Sequence, residues 1–149
     1  MNNTRNFLLV IFSPLAFLLS ACASVPVHPD EAKLVPADRI YYQSAPASPQ
    51  MAKAIFIRDR CIHGNMVYYH LWINGIHAAA LDVAERVDLW LEPGEYIFTV
   101  KPTDPIGMTI SDSLDQTLHT GNEHVYRISS DGPIRIQRVH PAMQKRILQ

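Results

Sequence analysis

Apolar and polar residues alternate through most of this chain, and turn residues interrupt the alternation at intervals of roughly 8–12 residues. Lys53–Arg58 places Ile55 and Ile57 on one face and Ala54, Phe56 and Arg58 on the other. Within Met66–Leu81 two such runs flank Asn74-Gly75, a pair that tolerates positive φ at both positions and predicts a hairpin closed by a type I′ turn. That turn sets an expected register: Ile73 opposite Ile76, Trp72 opposite His77, Leu71 opposite Ala78, and His70 opposite Ala79. Tyr69, Leu71, Ile73, Ile76, Ala78 and Ala80 then share an apolar face that belongs in a core. Tyr68, His70, Trp72, His77, Ala79 and Leu81 share a mixed one. Arg86–Leu91 turns Val87, Leu89 and Leu91 inward and Arg86, Asp88 and Trp90 outward. Glu92-Pro93-Gly94-Glu95 reads as a type II turn. It predicts a second hairpin that pairs Leu91 with Tyr96, Leu89 with Phe98 and Val87 with Val100, and the two hairpins in succession would form a meander.

Shorter signals complete the set. Arg39–Gln43 reads as an opening strand. A weaker strand lies within Met108–His119, with Leu114 and Leu118 inward. Gly121-Asn122 turns the chain into a strand over His124–Ser129, and Asp131-Gly132-Pro133 leads into a last strand over Ile134–Val139. No helical period competes. About seven or eight short strands predict an all-β fold, an antiparallel β-sandwich with a closed barrel as the alternative.

The first residues follow a different pattern. Arg5 precedes an apolar run from Phe7 to Leu19, broken by Pro14. The run is shorter than the ~20 residues that a membrane-spanning helix needs, and it reads as a secretory signal. It ends at Leu19-Ser20-Ala21-Cys22, which resembles the lipobox of bacterial lipoproteins. The resemblance implies cleavage before Cys22 and acylation of that cysteine. An ordinary signal cleaved at Ala21-Cys22-Ala23 is the alternative. Because Ala23, not an aspartate, follows the cysteine, the resemblance favours the outer membrane, with the domain facing the periplasm. Pro26, Pro29 and Pro36 then punctuate a stretch that reads as an extended tether. The expected organisation is a signal peptide over 1–21, a lipidated N-terminus and tether over 22–38, a sandwich domain over 39–140 and a C-terminal tail over 141–149.

Composition narrows the function classes. The chain has 149 residues with 13 basic and 14 acidic side chains. Loss of residues 1–21 removes Arg5 and no acid, for a mature net charge of −2. Nucleic acid calls for a basic patch, so no nucleic-acid partner is expected. With Cys22 taken by lipid, Cys61 has no partner within the chain, and either burial or an intermolecular contact would account for it.

Trp72-Ile73-Asn74-Gly75, Trp90-Leu91-Glu92-Pro93-Gly94-Glu95-Tyr96 and Val125-Tyr126-Arg127-Ile128-Ser129 together resemble a family of small, uncharacterised bacterial lipoproteins. Arg58-Asp59 fits an arginine-aspartate pair near the start of that pattern. The resemblance covers about residues 38–139 and implies a compact all-β sandwich of transthyretin-like or related type. It implies no catalytic activity. Relatives of that pattern carry a second cysteine in the region of Asp104–Ile110, which this chain lacks.

Seven histidines raise the question of a metal. On the expected register His70 and His77 are diagonal neighbours about 7–8 Å apart, long for shared ligation. There is no H-x-x-x-H or C-x-x-C spacing, and neither a metal nor another cofactor is expected. Ser111-Asp112-Ser113 and His119 supply hydrolase residue types without a nucleophile elbow, so no catalytic residue is assigned. Tyr68, His70, Trp72, His77 and Trp90 form a candidate aromatic face for a partner or ligand. The expected function is a lipid-anchored, non-enzymatic envelope protein that contacts other envelope proteins. The alternatives are a periplasmic module that binds a small ligand or cell-wall glycan, and a metal-dependent or hydrolytic enzyme.

Overall fold

The computed structural model describes residues 24–61, 66–103, 110–130, 133–140 and 143. The signal run, the lipobox with Cys22, the Asp131-Gly132 turn and the tail apart from Met143 lie outside them. Nine strands form: β1 (Lys33–Leu34), β2 (Ala52–Arg58), β3 (Tyr69–Ile73), β4 (Ile76–Leu81), β5 (Glu85–Leu91), β6 (Gly94–Pro102), β7 (Asp112–Leu118), β8 (Glu123–Ser130) and β9 (Ile134–Arg138). They make a five-stranded sheet, order β1-β5-β2-β8-β9, and a four-stranded sheet, order β4-β3-β6-β7. The two sheets pack face to face as a β-sandwich.

The five-stranded sheet is mixed. Its central strand β2 runs antiparallel to β5 and parallel to β8. Every residue of β2 except Lys53 is buried, because both of its faces are covered. Ala54 and Phe56 face the other sheet. Ile55 and Ile57 face outward and are roofed by Val27 and Ala32 of the N-terminal stretch, with Val125 and Val139 beside them. A strand enclosed on both sides reads as a near-continuous apolar run, as Ala54-Ile55-Phe56-Ile57 does. At the centre of the sandwich Phe56, Phe98 and Tyr126 meet as a ring triad, with centroids 4.9, 4.9 and 5.0 Å apart.

The stretch 22–38 is therefore no free tether from Val25 onward. Val25 bridges Arg60, β1 pairs with β5, and Val27 and Val35 are buried. Its prolines keep it extended, and an extended chain can lie along a sheet as readily as hang from it. Buried apolar residues between the prolines decide which. The expected strand at Arg39–Gln43 is also replaced. A 3₁₀ turn spans Ala37–Arg39, and the chain then lies along the edge of β4, where Tyr41 N–H and Tyr42 N–H both donate to the Ala78 carbonyl at 2.9 and 3.1 Å. This covers an edge that would otherwise be open to pairing.

The expected second hairpin does not form. β5 lies in the five-stranded sheet and β6 in the four-stranded one, so Glu92-Pro93 carries the chain across the sandwich. Gly94, at φ +156°, turns that corner in a conformation that side-chain residues rarely adopt. Val87, Leu89 and Leu91 meet Phe98 and Val100 across the core, not along a shared ladder. Alternation reports which residues face inward. It is blind to whether the inward neighbour sits beside the strand or opposite it.

The first hairpin forms with the expected turn, Asn74 at φ +48° and Gly75 at φ +78°. Its first two pairs follow the expected register. A bulge between Leu71 and Trp72 then shifts the rest, so Leu71 pairs Ala79, His70 pairs Ala80 and Tyr69 pairs Leu81. Ala79 and Leu81 turn into the core, and Ile76 is exposed. Two adjacent alanines, Ala78 and Ala79, are both fully buried against the core.

Candidate functional site

The outer face of the four-stranded sheet is the surface that the fold leaves uncovered. Across it the ladder places Trp72 beside His77 on β4 and Thr99 on β6, and Thr99 beside Ser113 on β7. His77 contacts two rings, tilted against Tyr41 at 4.4 Å and stacked on Trp72 at 4.9 Å between centroids. Lys101 Nζ lies 5.5 Å from the Trp72 ring, within cation–π range. Ile97, exposed by half, continues the face toward the Asn74-Gly75 turn, which is fixed to β6 because Ile97 N–H donates to Asn74 Oδ1 at 2.8 Å.

His70 and His77 are in direct contact, with Nδ1 of the first 2.9 Å from Nε2 of the second. Diagonal neighbours on one sheet face lie within reach of aromatic and long side chains, which accounts for the contact. Burial lowers the pKa of both imidazoles, and His70 is lowered further by His77 itself.

Of the five residues expected to share a face, His70, Trp72 and His77 do. Tyr68 sits at the rim beneath Arg39, whose guanidinium carbon is 4.8 Å from its ring. Trp90 belongs to β5 in the other sheet, where its N–H donates to Ser44 Oγ at 2.7 Å, so it is no part of this cluster. Both tryptophans face outward, as alternation predicts, but the crossover after Leu91 sends them to opposite sides. Tyr41, Thr103 and Lys101 join the cluster without having been singled out in the sequence. Lys101 is readable as the outward residue next to Val100, whereas Tyr41 arrives through a non-strand segment that no periodicity marks.

The hydrolase residue types do not assemble. Asp112 Oδ2 accepts the Ile136 N–H at 2.8 Å, Ser113 Oγ bonds Thr99 Oγ1 at 2.9 Å, and His119 follows the far end of β7. Among the described residues no three His, Cys, Asp or Glu side chains form a metal-sized group. Cys61 is half-buried as a free thiol, and its Sγ donates to the Ser130 carbonyl at 3.3 Å.

Two charged residues act inside the fold. Arg58 is 2% exposed, donates from Nη1 to the carbonyls of Val67 (2.7 Å) and Leu81 (2.9 Å), and lies 3.7 Å from the Tyr69 ring centre. It rises from β2 in one sheet to hold β3 and β4 in the other. Asp59 accepts from Arg127 through both carboxylate oxygens and from Val27 N–H at 3.2 Å, so it pins the N-terminal strap to β8. The Arg58-Asp59 pair thus reads as architecture.

Cavities formed by the described residues are lined by other side chains. One of about 590 Å³ lies between Asn74, Ile97, Asp115 and Thr117, and one of about 570 Å³ between Val27, Arg127, Arg138 and Val139. A third, about 330 Å³, is lined by Tyr42, Ser44, Trp90, Glu92 and Tyr96. No protein-family model and no curated protein matches the chain. No helix among the described residues is long and apolar enough to cross a membrane.

Proposed function

We propose that this chain is a lipid-anchored, non-enzymatic protein of the bacterial cell envelope, tied through an acylated Cys22 to the outer membrane and facing the periplasm. Its sandwich acts by protein contact through the outer face of the four-stranded sheet. One observation carries this reading: the middle of the five-stranded sheet is roofed by its own N-terminal strap, while the outer face of the four-stranded sheet carries exposed Lys101 and Ile97 and half-buried Trp72 and His77, with exposed Tyr41 at its edge. Rigid aromatics such as Tyr41 and Trp72 match the composition of interface centres. The lipobox and its resemblance to small lipoproteins support the anchoring.

The test is a photo-crosslinker placed singly at Ile97 and Thr99 on the open face, and at Leu34 and Lys33 beside the strap, in intact cells. Crosslinks to one envelope protein from the first pair alone support the reading. Equal capture from both pairs, or capture from the second alone, contradicts it.

A second reading has its own observation. The recess lined by Tyr42, Ser44, Trp90, Glu92 and Tyr96 brings an indole and two phenols together with a carboxylate, which suits a small sugar-like ligand. A change in tryptophan fluorescence on adding cell-wall fragments, lost in Trp90→Phe, would favour it.

A further inference from the structure

The His70–His77 contact is part of a longer chain of hydrogen bonds. Nε2 of His70 lies 2.9 Å from Thr103 Oγ1, and that hydroxyl donates to the Tyr68 carbonyl at 3.2 Å. A hydroxyl has one proton to give. Where Thr103 gives it to the carbonyl, it accepts from His70 Nε2–H. In that arrangement His70 Nδ1 carries the lone pair that accepts from His77 Nε2–H. Shifting one proton within the His77 ring, from Nε2 to Nδ1, presents a second lone pair beside the first.

We propose that His70 Nδ1 and His77 Nε2 form a two-histidine site for a divalent transition-metal ion, with Cu(II) the best-fitting ion. The separation argues for this choice. Imidazole nitrogens ligate such ions at about 2.0–2.1 Å, so two neighbouring ligands on a square-planar ion stand about 2.9 Å apart, and on a tetrahedral ion about 3.3 Å. The observed spacing is 2.9 Å, held by an N–H···N hydrogen bond whose proton must leave before an ion can enter, so the two nitrogens need to re-aim and not to separate. Square-planar nitrogen ligation is the preference of Cu(II) and Ni(II), and Cu(II) stands highest in the affinity order of divalent ions.

The surroundings support it. A ligating histidine normally donates its other N–H to a fixed acceptor, and Thr103 is that acceptor for His70. The Tyr41 and Trp72 rings both contact the His77 ring and limit its movement. With no third His, Cys, Asp or Glu in the group among the described residues, the other coordination positions belong to water or to an incoming ligand. This inference stands independently of whether the same face docks a protein.

The test titrates CuCl₂ into the full-length protein in detergent at pH 7.5, read by tryptophan fluorescence and by electron paramagnetic resonance. One equivalent of Cu(II) should quench Trp72 and show a tetragonal signal split by two imidazole nitrogens. Trp72→Phe should lose the quenching and keep the resonance signal. His77→Ala and His70→Ala, each checked by circular dichroism, should bind at least about tenfold more weakly, and Thr103→Val about 10–100-fold more weakly. Unchanged affinity in His77→Ala would overturn the site. Tighter binding of Zn(II) than of Cu(II) would overturn the square-planar assignment.

Discussion

Acidification from pH 6.5 to 4 should cost this fold about 3 kcal/mol through one side chain, His124. The residue lies on β8, 1% exposed, with its ring parallel to Tyr126 at 6.5 Å, and neither ring nitrogen has a hydrogen-bond partner among the described residues. Burial pushes its pKa from the ordinary 6.5 down to about 4, and the positive fields of Arg138 and His119 act in the same direction. In the unfolded chain the imidazole takes up its proton near 6.5, whereas in the fold it stays neutral to about 4. The stability that depends on a neutral His124 is therefore complete above 6.5 and is lost as pH falls through that window. At about 1.4 kcal/mol per pH unit the loss amounts to about 3 kcal/mol. The assay is urea unfolding at several pH values between 7.5 and 4, comparing wild type with His124→Phe, which keeps a flat ring against Tyr126. His70 and His77, whose pKa values are also lowered, titrate in both proteins and cancel in the difference. The wild-type curve should fall more steeply than the variant's by about 3 kcal/mol over the window. Parallel curves would refute the reasoning.

Four further outcomes are expected. Leu89→Ala, at a buried position between the sheets, should destabilise by about 2–5 kcal/mol in chemical denaturation. Asp59→Ala leaves the guanidinium of Arg127 without its carboxylate and frees the N-terminal strap, which should cost about 3–5 kcal/mol and speed proteolysis near Val27. Gly75→Ala meets no steric contact but must hold φ +78°, so a loss of about 1–2 kcal/mol should appear as a lowered melting temperature. Cys22→Ser should move the protein from the membrane to the soluble fraction on cell fractionation, and continued membrane association would count against acylation.

What the sequence revealed follows from what each signal encodes. Period-two alternation locates most strands and their inward residues, so Val87, Leu89 and Leu91 read as core from the sequence alone, and all three are buried. Asn74-Gly75 located a turn and the two pairs nearest to it. Strand partnership is decided by the summed packing of both sheets, which is why Glu92-Pro93-Gly94 looked like a hairpin turn and served as a crossover. The bulge at Leu71–Trp72 leaves no local mark beyond three consecutive alanines in Ala78-Ala79-Ala80, yet it moves Leu81 inward. The N-terminal strap was misread because prolines announce extension, and only the finished sheet shows what an extended segment lies upon. On the candidate face, Trp72, His70 and His77 were legible from one strand pair. Trp90 was misplaced for the same reason the second hairpin was.

The measurement that bears most directly on the proposed role compares wild-type lipidated protein with Trp72→Ala, crosslinked in intact cells and read by mass spectrometry. The account predicts that wild type captures a specific envelope protein and that Trp72→Ala, folded and anchored as before, loses it. Capture of the same protein to the same extent by both would contradict a contact made through the open face of the four-stranded sheet.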